Sequence, residues 1–245
     1  MAKQAVKKKK TRKKAQPKEN WGQRQKRRAR RWAMRATIWG ISAFIFAILI
    51  FTVFNPPITW TMYSEKARLG HIDHQWVPVE EIAPVMLRSV VAAEDANFCN
   101  HWGFDMTAIR AALEDGAGRG ASTLSQQVVK NVYLWQGRSW LRKALEAGIT
   151  PVVEMAWSKR RILEVYLNIA EFDEGVFGVE AASHHYFGVA PDSLSASQAA
   201  RLATVLPAPK TRSARRPTAR QIKRASAIMD GAATIAKDGR ARCFQ

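Results

Sequence analysis

The chain has 245 residues, 47% of them hydrophobic, and a formal net charge of +19. That length holds one or two domains with a sizeable core, and two cysteines are too few to build a disulfide scaffold, so the fold rests on apolar burial. The charge is lopsided: residues 1–35 hold 16 of the 39 Lys/Arg and one of the 20 acids, leaving the other 210 residues at only +4. A basic surface spread over the fold is thereby excluded, and with it nucleic acid as a partner of the folded part.

In chain order, the tail 1–35 is a block of like charges without apolar periodicity and reads as disordered. Beside a membrane such a tail contacts anionic lipid, at about 1 kcal/mol per base. Residues 36–54 (ATIWGISAFIFAILIFTVF) follow without a charge. About 20 helical residues cross the ~30 Å hydrocarbon layer. A core helix would keep one polar stripe, and a cleavable signal peptide would be shorter and end on small residues. Here Asn55-Pro56-Pro57 follows instead, which reads as an uncleaved signal anchor. The bases on its N-terminal side place that end in the cytoplasm and the rest beyond the inner membrane. An oxidising compartment there permits a disulfide between Cys99 and Cys243, or two free thiols.

Residues 55–75 read as an irregular connector, and 76–245 as one mainly α domain without strands of convincing length. The periodicity predicts helices over 84–95, 106–114 (capped by Asp105), 122–135, 139–157 (kinked at Pro151), 159–172, 179–187 and 196–206. The last is opened by a Ser195–Gln198 capping box and ended by Pro207 and Pro209. The three glycines in 115–121 predict a mobile loop.

Three clusters carry possible chemistry. Glu94 and Asp95 end an apolar helix, where the macrodipole disfavours an anion and a carboxyl pKa tends upward, as general acid–base work requires. The bland reading is a surface helix end. Ser122, Gln126 and Lys130 fall four apart, with Thr123, Gln127 and Asn131 beside them: a hydroxyl–amide–ammonium row suited to an oligosaccharide or phosphate, or else a solvated face. Arg142 and Glu146 are spaced as an exposed ion pair or as a cation site for a charged leaving group.

In this order the clusters resemble the peptidoglycan glycosyltransferase family, found in bifunctional penicillin-binding proteins and monofunctional transglycosylases. Its first motif matches Glu94, Asp95, Phe98, His101, Gly103 and Asp105. The second matches Gly120, Ser122, Thr123, Gln126, Gln127, Lys130 and Asn131, and the third Arg142, Lys143 and Glu146. Ser158-Lys159, Ile162-Leu163-Glu164, Tyr166-Leu167-Asn168, Gly175 and Gly178-Val179-Glu180-Ala181-Ala182 continue it. Asp173 stands where glycine is frequent, and Val189 where lysine is common.

The resemblance implies a lysozyme-like α fold and polymerisation of lipid II onto a growing glycan chain, with undecaprenyl pyrophosphate leaving and the configuration inverting. It implies Glu94 as general base. Lys130 and Arg142 would neutralise the pyrophosphate. Glu146 would be the second catalytic carboxylate, holding the cations or a metal or assisting the leaving group. Asp95, His101, Ser122, Thr123, Gln126, Gln127, Asn131 and Lys143 complete the substrate contacts, although Asp95 also suits a loop-holding role. No cofactor is required, with room for a divalent cation, Mg or Mn, at the pyrophosphate. Pro57, Ile58, Trp60 and Met62 are placed against the bilayer, and other cell-wall synthesis proteins are possible partners. No Ser-x-x-Lys transpeptidase motif occurs and only 35 residues follow Lys210, so the expectation is a monofunctional enzyme. A hydrolase of the same fold, which would need neither the Lys130–Arg142 pair nor the membrane anchor, and a non-enzymatic scaffold, whose function would not depend on Glu94, are the rival readings. His71, His74, His184 and His185 lack a third ligand of evident geometry and predict no zinc site.

Overall fold

The computed structural model describes residues 20–114, 122–137 and 139–245. They form two compact units, one through Ala47 and one from Ile48 onward. Most of helix α1 (Trp21–Ile50) lies in the first; among the described residues it alone is long and apolar enough to cross a membrane. It begins inside the stretch expected to be disordered. The reason is local: residues 21–35 are rich in Arg, Gln and Ala, good helix formers that extend an already nucleated helix at little cost. Residues 1–19 lie outside the described residues, as does the glycine loop 115–121.

The second unit starts with the end of that apolar run. Ile48 is buried, and its carbonyl accepts the Trp157 indole N–H at 2.8 Å. Arg161, itself buried and paired with Glu164, donates to the carbonyls of Phe51 and Phe54 at 3.1 and 2.8 Å and to Asn55 Oδ1 at 3.0 Å. Residues 48–55, expected to be the last of the span and the start of a connector, are therefore stitched into the domain.

The expected connector also contains a helix, α2 (Trp60–Leu69). Thr59 accepts the Met62 N–H as N-cap, and Gly70, at φ +81°, supplies the left-handed residue that closes the other end. These short-range signals outweigh the prolines before it. Asp73–His74 (β1) then pairs in parallel with Val176–Phe177 (β3), which also pairs antiparallel with Glu171–Asp173 (β2). This small sheet was not expected, because strands of two or three residues are too short to show alternation.

The remaining helices are α3 (Pro84–Glu94), α4 (Met106–Glu114), α5 (Leu124–Tyr133), α6 (Trp140–Ala156), α7 (Lys159–Ile169), α8 (Gly178–Phe187), α9 (Ala196–Val205) and α10 (Ala219–Lys237). The first seven were expected, with ends shifted by a residue or two; the predicted 159–172 helix stops at Ile169, where β2 takes over. The unit is mainly α, as read. α3 buries Met86, Leu87, Val90 and Val91, one helical stripe, against α9 and α10, while α5 packs on α6 and α7. Phe98 and Phe244 meet at 6.3 Å between ring centroids beside a Cys99–Cys243 disulfide, which closes residues 238–245 over the turn after Asp95.

α10 had no counterpart in the sequence reading. Its signals are a Thr218–Gln221 capping box and the buried series Gln221, Ala225, Ile228, Ala232 and Ile235. Pro217 and the seven bases of 210–224 mask that series from a reading by composition.

Candidate active site

The first motif is built around the end of α3. Pro84 opens that helix and its apolar stripe fixes the roll, which delivers Glu94 at the rim of a cleft of about 630 Å³. Glu94 is partly buried, and burial is the main force pushing its pKa up. The main opposing influence is one amide, Gln127 Nε2 donating to Glu94 Oε2 at 3.0 Å, with Arg224 and Arg212 adding a weaker pull from a distance. The Tyr166 hydroxyl lies 3.5 Å from the other end of that amide.

Asp95, next in sequence, faces inward. One of its oxygens accepts the Leu124 N–H at 3.0 Å and the other is 2.8 Å from His101 Nε2. Both side chains are nearly sealed from water. Expected from the motif to contact substrate, Asp95 and His101 instead hold each other and pin the start of α5; the loop-holding alternative for Asp95 is the one the geometry supports. The same correction applies to Thr123 and Gln126. Thr123 is the N-cap of α5, not part of it, and its side chain and that of Gln126 satisfy each other's backbone N–H groups. Thr123 Oγ1 also donates to the Gly103 carbonyl at 2.7 Å. Gly103 stands at φ +81°, and a Cβ there would lie 2.5 Å from Thr150 Cγ2, so only glycine fits this crossing. The expected four-apart row fails because Ser122 precedes the helix and Gln126 is used in capping.

What remains on the open side of α5 is Gln127, Lys130 and Asn131. Lys130 lies along a second part of the cleft with Thr61, Gln136 and Glu171. Burial pulls its pKa down, with Glu146 opposing, and no carboxylate among the described residues lies within ion-pair distance. Asn131 Oδ1 accepts from Gln136 Nε2 at 3.0 Å, and Gln136 reaches on to Thr61 at 2.7 Å.

The third motif lies on α6, opened by Ser139. Arg142 Nη1 donates to Glu146 Oε2 at 2.6 Å, and Lys143 bonds the other oxygen of Glu146 and reaches Ser122 Oγ at 3.3 Å. Glu146 is 2% exposed with both oxygens engaged by cations. The spacing had allowed an exposed ion pair; instead it is a buried bracket. Both oxygens of that carboxylate already face a cation, which disfavours a metal ion beside them, and no group of three His, Cys, Asp or Glu among the described residues is placed to hold one. Of the roles expected for Glu146 the geometry supports holding the cations.

The sequence reading missed the opposite wall of the cleft. Arg212, before α10, and Arg220, Lys223 and Arg224 on its first turns line the 630 Å³ cleft with Glu94, Ser122 and Gln127. A second groove, of about 610 Å³, is apolar and aromatic, formed by Ile58, Trp60 and Tyr63 from α2 and its approach and by Val132, Leu134 and Trp135 at and just past the end of α5. Ile58 and Trp60 are exposed as expected of a bilayer contact, whereas Met62 is buried in the core.

A helical domain with a partly buried carboxyl, its amide partner and a desolvated ammonium along one cleft is suited to acid–base chemistry on a negatively charged substrate. The transglycosylase family model matches residues 63–233, and the chain belongs to that family. It is 58% identical over 216 residues, 88% of this chain and 90% of the relative, to a biosynthetic peptidoglycan transglycosylase of Jannaschia sp. (strain CCS1). Proteins of the same name from Pseudomonas fluorescens (strain SBW25) and Yersinia pestis (strain Pestoides F) are 47% and 50% identical, over 82% and 73% of this chain and 88% and 79% of theirs. The chain is thus a peptidoglycan glycosyltransferase of cell-wall synthesis.

Proposed function

We propose that this enzyme polymerises lipid II into linear glycan strands, with Glu94 as the base. The 4-hydroxyl of the incoming disaccharide attacks the anomeric carbon of the growing chain from the face opposite its pyrophosphate. Glu94 takes the hydroxyl proton as the new C–O bond forms. The old C–O bond breaks, its electron pair leaves with undecaprenyl pyrophosphate, and the configuration inverts. The observation that carries this reading is the state of Glu94: closed in at a cleft wall, its pKa raised by burial, held by one neutral amide rather than a cation. A carboxylate so placed is a stronger base than one in water. The departing charge falls to Lys130, Arg142 and Lys143, the latter two aimed by Glu146; charge-assisted donors set in advance act most strongly where charge develops.

Both substrates are held in a bilayer by polyprenyl tails. The aromatic groove of α2, close along the chain to the apolar helix α1, suits the tail-proximal end of such a substrate. The bases before residue 36 orient the helix with its N-terminus cytoplasmic and the domain beyond the inner membrane. The chain has no Ser-x-x-Lys nucleophile, and we assign it no transpeptidase step. The test is polymerisation of labelled lipid II by the detergent-solubilised protein beside Glu94→Gln. Long chains from the wild type and a kcat lower by at least about 10³-fold in the variant, with KM little changed, are expected. Cleavage of finished peptidoglycan without polymer formation would replace this reading with a hydrolase.

A further inference from the structure

Two groups of cations flank Glu94, and the proposed reaction uses only one. Lys130, Arg142 and Lys143 lie toward the later turns of α5 and the start of α6. Arg212, Arg220, Lys223 and Arg224 face Glu94 across the 630 Å³ cleft, beside the first turn of α5, with Glu94 the only acid among the residues lining it. Two of the four are fixed by backbone carbonyls: Arg212 donates to Thr204 at 2.8 Å and Arg224 to Ala93 at 3.2 Å. Arg220 and Lys223 are exposed and have no carboxylate within ion-pair distance among the described residues. A wall with two anchored and two unspent cations and a single acid is arranged for an anionic ligand.

The direction of α5 tells which anion. Its last turn borders the aromatic groove of Trp60 and Tyr63, the membrane-facing candidate, while its first turn borders the basic wall. The helix is 10 residues, about 15 Å, long. The pyrophosphate of a membrane-held substrate stays next to its polyprenyl tail, at the groove end, where Lys130 is. An anion at the α10 end belongs to a part of the substrate that projects away from the bilayer. On lipid II that part is the peptide arm, which carries free carboxylates. Resting on the lipid II reading above, we propose that Arg220 and Lys223, framed by Arg212 and Arg224, form an oxyanion subsite for the peptide-arm carboxylates of the acceptor and set a preference for acidic stem peptides.

Such contacts on exposed cations form in the ground state and persist in the transition state, so they act on substrate discrimination rather than on the chemical step. The experiment compares lipid II with lipid II whose peptide carboxylates are amidated, using the full-length protein in detergent. The wild type should prefer the unmodified substrate by about tenfold in kcat/KM, the size expected of two exposed charge pairs. Arg220→Ala/Lys223→Ala should abolish the preference, and Arg220→Lys/Lys223→Arg should keep it. An equal loss on both substrates would assign the wall to the acceptor's pyrophosphate, and no loss on either would leave it without a ligand; both overturn the proposal. Calorimetric titration with the lipid-free disaccharide-peptide separates the two readings. Binding weakened about tenfold by the double alanine variant, in a protein that makes no polymer, would sink the polymerase reading and leave the subsite standing.

Discussion

Glu94 at the end of α3 and Glu146 inside α6 are both withdrawn from water, but their surroundings differ in kind. Glu94 meets one neutral amide, and the nearest cations, Arg224 and Arg212, act on it only at a distance. Glu146 has a guanidinium on one oxygen and an ammonium on the other. The difference teaches how one site keeps two carboxylates apart in role. A carboxyl whose pKa is raised by burial and that has no cation at contact is suited to take up a proton, whereas one bracketed by two cations is suited to aim them. In the proposed reaction these are a base end and a charge end joined by α5, whose Gln127 touches the first and whose Lys130 belongs to the second.

Replacing Lys130 by Ala tests the charge end most severely. Loss of a preset donor to the developing negative charge should lower kcat by about 10²–10³-fold, read from initial polymerisation rates. Glu146→Gln should cost somewhat less, about 10²-fold, because it displaces Arg142 and Lys143 without removing them. A Glu146→Gln variant as inactive as Glu94→Gln, with its cations still in place by crystallography, would erase the distinction between the two carboxylates. Further from the chemistry, the Cys99–Cys243 bond closes a loop with a sequence separation of 144, and the chain-entropy estimate for its stabilisation is about 5 kcal/mol. The double serine variant should melt about 10 °C lower, with a smaller effect on kcat than either charge-end variant, measured by thermal unfolding and rate assays at 25 °C.

Much of this arrangement was legible in the sequence, and its gaps have physical causes. Helix α3 and Glu94 at its end follow from Pro84 and a clean apolar stripe. The ion pair of Arg142 and Glu146 follows from i,i+4 spacing, but its burial does not, since spacing carries no information on what packs over a helix. Ser122, Gln126 and Lys130 looked like one row, with Thr123 beside it, because periodicity cannot tell a cap residue from a helical one. The backbone N–H groups at the start of α5 claimed Thr123 and Gln126 before any ligand could. Asp95 and His101 are polar residues in a motif that the fold spends on itself. The basic wall of α10 was hidden because its cations read as a solvated stretch until the contact of α10 with α3 sets them opposite Glu94.

The most direct test of the division between base end and charge end is the pH dependence of kcat/KM for polymerisation between pH 4 and 8. A base must be ionised to accept the hydroxyl proton, so the rate should rise with pH through the folded pKa of Glu94, which burial holds above its ordinary value of 4.5. An acid limb with its midpoint above 4.5, absent from the residual activity of Glu94→Gln, is the expected result. A limb that survives unchanged in Glu94→Gln, or a wild-type profile flat across this range, would contradict the assignment of Glu94 as the base.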